Sequence, residues 1–137
     1  MSQRGQWAST AAIGKSATHE VSALYNFATM GGVVSTISLL ATVPARAVIL
    51  DGMIDVVGAL TSAGGATVSL GAEAAGDLVL AVVLGSWGLG RHDIIPVGSA
   101  ATSVKTTADR VVSIVVAVAD LTAGKFRVTL RYMQSEA

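Results

Sequence analysis

The chain has 137 residues, enough for one domain with a real hydrophobic core. It is 52% hydrophobic and only 13% charged, with a formal net charge of zero and no cysteine. That balance excludes a protein that grips a nucleic-acid phosphate backbone, a disulfide scaffold and every thiolate metal site.

In chain order, residues 1 to about 18 are small and polar, with Trp7 and Ile13 as the large apolar groups. They read as an extended arm, either a plain tail or a segment that docks on a neighbour through Trp7. No apolar stretch follows Met1–Gln6, so no secretory signal is expected. His19–Phe27 reads as a first strand or a turn-like segment, and Val33–Leu40 as a β-branched strand that Pro44 closes. Arg46–Leu50 and Met53–Val57 are strand-like. Asp51-Gly52 between them is either a tight turn or a bulge in one long strand.

Gly58–Gly76 is small and turn-rich, with Thr67–Leu70 as a short strand and Ala72–Ala75 as a single helical turn. Asp77–Leu84 fits a helix with Asp77 as N-cap and Gly85 as its stop; it fits a buried strand equally. The apolar window Leu78–Leu89 is broken by Gly85, Ser86 and Gly88, short of the roughly 18 residues a membrane helix needs. Gly85–Asp93 reads as a loop, Ile94–Gly98 as an edge-like extended piece, and Ser103–Thr107 as another alternating strand. Val111–Ala119 is apolar at nearly every position, as in a strand covered on both faces. After the connection Asp120–Gly124, Lys125–Met133 alternates strictly, with Phe126, Val128, Leu130 and Tyr132 on one side and Lys125, Arg127, Thr129 and Arg131 on the other. These last two runs fit a hairpin with a longer loop. The expected fold is therefore all-β: a sandwich, jelly roll or small barrel of seven to nine short strands. It forms a single domain over residues 19–137 behind the arm.

Chemistry is sparse. His92 lies beside Asp93 in a glycine-rich loop and His19 stands alone, so no converging set of metal ligands or acid–base groups is in view. No G-x-S-x-G occurs, and Gly85, Gly88 and Gly90 reverse the dinucleotide spacing with no βαβ unit around them. The acids sit mostly beside turns, where Asp serves turn hydrogen bonding. No catalytic, cofactor-binding or metal-binding residue is assigned, and no cofactor is expected. The interface residues expected are Trp7, Ile13, Arg127 and Arg131. The arginine stripe is either a wet strand face or a polar contact row against another subunit. A charged share well under the usual ~25% leaves little polar surface to clothe a monomer, so part of the apolar surface is expected to meet another subunit.

From Gly58-Ala59-Leu60-Thr61-Ser62-Ala63-Gly64-Gly65 through Thr67–Gly71, Asp93–Gly98 and Leu121-Thr122-Ala123-Gly124-Lys125 to Tyr132, the sequence resembles small structural proteins of tailed-bacteriophage virions. The resemblance covers roughly residues 46–133 and implies a capsid decoration (cement) protein, small, β-rich and trimeric. Such a protein would bind the outer surface of the assembled head and brace it against the packed DNA. The partners it implies are the major capsid protein and further copies of the chain as a homotrimer, with no direct nucleic acid and no membrane. It would be made in the host bacterial cytoplasm and end in the virion. A tail-tube, baseplate or fibre-base subunit is the alternative within that class. A small-molecule-binding barrel or minor enzyme is the alternative outside it, and it would need a lined pocket with converging polar groups.

Overall fold

The computed structural model describes residues 18–96 and 104–134. Within them the strands are β1 (Thr18–Asn26), β2 (Ser35–Val43), β3 (Ala47–Ser62), β4 (Thr67–Gly71), β5 (Val79–Val83), β6 (Gly90–Ile94), β7 (Arg110–Ala117) and β8 (Leu121–Gln134). One helical turn, Phe27–Met30, follows β1, and a 3-10 turn, Leu84–Trp87, follows β5. The strands form two four-stranded sheets, ordered β1-β8-β3-β6 and β2-β7-β4-β5, with every pairing antiparallel. The sheets pack face to face as a sandwich, not as a closed barrel.

Alternation along the strands explains the packing. Phe126, Val128 and Leu130 of β8 point inward with Tyr25, Ile54 and Val56 of the flanking strands. From the second sheet Val112, Ile114 and Val116 point inward beside Val68 and Leu70. All these side chains are buried. Aromatic mass is concentrated at one point: the Phe126 ring lies 5.2 Å from Tyr25 and 5.1 Å from Trp87, centroid to centroid. The polar ends of the two larger rings are satisfied, since Tyr25 donates to the Gly31 carbonyl (2.6 Å) and Trp87 Nε1 to the Val68 carbonyl (3.3 Å).

Several expectations from the sequence are corrected. β7 and β8 are not a hairpin: they lie in different sheets, and β8 pairs with β1 and β3 instead. Nor is β7 covered on both faces, because Val111 on its outer side is 43% exposed. Among the described residues the one pair of consecutive strands that are also paired is β4–β5. Residues 77–84 carry strand β5, paired to β4, so the helical option is set aside. Asp77 caps its neighbourhood in another way: its carboxylate accepts from the backbone N–H groups of Ala72, Glu73 and Ala74. Those residues form a bend and not a helical turn. Asp51-Gly52 is a bulge inside the single long strand β3, where the register with β8 shifts between Ile49 and Asp51. Residues 90–94, read as loop and edge piece, form edge strand β6, and Trp87 from the same stretch is buried. The Ser103–Thr107 strand reduces to a single bridge, Val48 to Lys105, supported by backbone bonds from Arg46, Ile49 and Thr106.

Candidate interaction surfaces

The outer face of the first sheet is a checkerboard of charge. Register sets Glu20, Arg131 and Asp51 in one row; Ser22, Thr129, Met53 and Asp93 in the next; and Leu24, Arg127, Asp55 and Arg91 in a third. Arg131 grips Asp51 in a fork: Nε donates to Oδ1 at 2.7 Å and Nη2 to Oδ2. That guanidinium holds the Asp51 carboxyl below its usual range, and the carboxylate raises Arg131 in turn. Arg127 donates to Ser22 Oγ at 3.3 Å. An open depression of about 460 Å³ lies among Glu20, Asp51, Met53, Arg91, Asp93 and Arg131. Its acids and bases alternate, so it offers neither a cation nor an anion a one-signed field.

The two arginines named from the sequence are therefore brought onto one face, and each has partners there that sequence order did not reveal. Trp7 and Ile13 lie outside the described residues. The histidines are committed to structure: His19 stacks on Tyr132 with centroids 5.5 Å apart, and His92 Nε2 lies 2.6 Å from the Gly88 carbonyl, which requires that nitrogen to carry the proton. Among the described residues no three His, Asp or Glu side chains converge on a metal-sized site.

The second sheet's outer face has a different character. Thr36, Ser38 and Thr42 of β2 stand opposite Val115, Ser113 and Val111 of β7, and Ala117 lies beside Thr67, which in turn faces Val83 of the edge strand. Among the described residues none of these strand positions is charged, and the turn at 72–76 lies over the β4 part of the face, where Ser69 is buried. The nearest charges form a cluster at its rim, where Arg110 donates Nε to Glu73 Oε1 (2.8 Å) and Nη2 to Oε2 (3.2 Å), while Thr107 adds its N–H and hydroxyl. With Arg110 the leading cause, the Glu73 carboxyl falls to about 2. In the sequence this face is marked only by Val111, Val115 and Ala117, which merge with the buried Val112, Ile114 and Val116 into one apolar run.

No protein-family model matches the chain, and no curated protein matches it. Solved structures do. A chain of the acidic stable capsid structure of Helicobacter pylori bacteriophage KHP30 superposes with a TM-score of 0.61 at 16% identity, covering 89% of this chain and 91% of that one. A chain of the cyanophage Pam1 capsid asymmetric unit gives 0.64 at 15% identity, covering 88% and 87%. A chain of the capsid of Ralstonia phage GP4 gives 0.59 at 18% identity, covering 85% and 84%. At these identities the likeness is one of fold. It runs almost end to end on both sides, and it agrees with the resemblance to virion structural proteins read from the sequence.

Proposed function

We propose that the chain is a bacteriophage capsid decoration (cement) protein that binds the outer surface of the assembled head and stabilises it. The observation that carries this reading is the near-complete superposition on three capsid chains, each matched over at least 84% of its length. Charge supports the outer position. A protein on the inner wall faces packed DNA, and this chain has no net positive charge and, among the described residues, no one-signed basic face to meet it. The uncharged outer face of the second sheet is the surface for self-association, with a homotrimer as the expected closed assembly. Residues before Thr18 act as an arm that lies on a neighbouring subunit, with Trp7 as its anchor. The checkerboard of Arg127, Arg131 and their acidic partners faces solvent or the rim of a contact. The role is structural and non-enzymatic, and the partner is the major capsid protein.

The test is a binding and imaging experiment. The purified protein is added to heads that lack it, and occupied sites are counted by cryo-electron microscopy while heat or osmotic shock measures rupture. Density on the outer lattice and a raised rupture threshold are expected. Density confined to the tail, or none on heads, would sink the reading in favour of a tail-tube, baseplate or fibre-base subunit.

A further inference from the structure

Charge is also divided between the two ends of the sandwich. At one end the loops 27–34, 62–66, 84–89 and 118–120 carry a single charged residue, Asp120. At the other, Arg46, Glu73, Asp77, Lys105, Asp109 and Arg110 gather around the connections. Thr18 pairs with Met133 at this charged end, so the chain enters and leaves the described domain there.

The charge-poor end is built as a rigid tip. The Asp120 carboxylate accepts from Val34 N–H at 2.8 Å, and Leu121 N–H donates to the Gly32 carbonyl at 2.7 Å. Ser62 donates to the Asp120 carbonyl at 2.7 Å, and a methyl group on Gly64 would overlap Ala119. Three loops are thus tied together, and they hold Val33, Val34 and Val118 out at 65%, 46% and 74% exposure. Val118 has φ 74°, a left-handed conformation that a β-branched residue adopts only under strain. Glycine or asparagine would suit the backbone better. Strain retained at an exposed apolar position favours a use of the side chain itself, and Leu40 in the irregular part of β2 shares this feature (φ 63°, 82% exposed).

From this geometry we propose that the valine tip, with Val118 at its centre, seats in an apolar depression of the capsid shell protein. The proposal rests on the decoration reading above and names the contacting surface. Size decides between shell and second copy. The tip exposes on the order of 300 Å² of apolar surface, the scale of a functional patch. That falls well short of the ~800 Å² per partner that holds an ordinary complex together. A contact this small holds when several linked copies engage a repeating lattice at once, because each further contact forms at high effective concentration. Such a lattice is what a head presents.

The test uses Val118→Gly and Val118→Asp in the full chain, with heads lacking this protein as the binding probe. Both replacements tolerate positive φ more easily than valine, so melting temperatures equal to or above that of the unaltered protein are expected. Binding to heads should fall several-fold for Val118→Gly and more than tenfold for Val118→Asp, with the solution mass unchanged. Unaltered binding by Val118→Asp would overturn the tip while leaving the decoration reading in place. A reduced solution mass would show that a second copy covers the tip, which also overturns it. If the unaltered protein itself fails to bind heads, the decoration reading falls and takes the tip's partner with it.

Discussion

On its outer surface the first sheet sets acids beside bases, with Glu20, Arg131 and Asp51 in one row and Arg127, Asp55 and Arg91 in another. The second presents Thr36, Ser38, Val111, Val115 and Ala117, with no charged residue among these described strand positions. Their inner faces do not differ in this way, since Phe126, Val128 and Leu130 on one side and Val112, Ile114 and Val116 on the other are equally buried. Folding therefore accounts for the inner faces and leaves the outer difference unexplained. Water-facing strand positions ordinarily carry polar or charged groups, and scattered opposite charges are well solvated there. A strand that keeps Val111 and Val115 outside is shaped by something other than its own core. Under the proposed role, the contrast separates a wet face from one prepared for protein contact.

The most damaging way to probe the comparison is through what the two sheets share. Leu130→Ala and Ile114→Ala should each cost about 2–5 kcal/mol in denaturant melts, as buried large-to-small changes do. If one sheet tolerates its change with little loss, the sandwich is held from one side and the symmetry of the inner faces is misjudged. The next probe is aimed at the outer difference. Val111→Lys should leave the melting temperature within a few degrees, yet lower the solution mass at tens of micromolar by light scattering. An unchanged mass would remove the self-association role from the second sheet.

A smaller effect concerns the ion pair at the rim of that sheet. The folded-state pKa of Glu73, about 2, lies below its ordinary 4.5, so its contribution to stability is present above pH 4.5 and fades as pH falls toward 2. Exposure to solvent screens the pair, which keeps the contribution modest. Melting temperatures of the unaltered protein should drop over that window by more than those of Glu73→Gln. Parallel curves would remove the assignment. The smallest change expected is Arg127→Ala, within about 0.5 kcal/mol of the unaltered protein, because its outward side chain is exposed and makes one long bond to Ser22. A loss matching that of Leu130→Ala would show the β8 register to be wrong.

Much of the fold was legible because strands announce themselves by period. The alternation from Lys125 to Tyr132 named the buried face of β8 residue by residue, and the all-β class followed from short β-branched runs between turn residues. Poverty of charge raised the expectation of subunit contacts, which enters only the proposed function. The distribution of that charge was a different matter. Arg131 and Asp51 are 80 positions apart, and no local pattern joins them. Pairing partners are chosen by whole-sheet packing, which is why β7 and β8, adjacent in sequence, part into different layers at Val118. Residues 77–84 show the same limit, since an apolar run satisfies a helix or a strand until β4 offers its open edge. Sequence by itself determined which residues must avoid water and the period on which they do so. Tertiary structure decided which strands share a sheet, and so which outer face became charged, which stayed bare, and which loops met to raise the valine tip. Burial is a property each residue carries with it, whereas adjacency between distant strands exists only once the chain has closed.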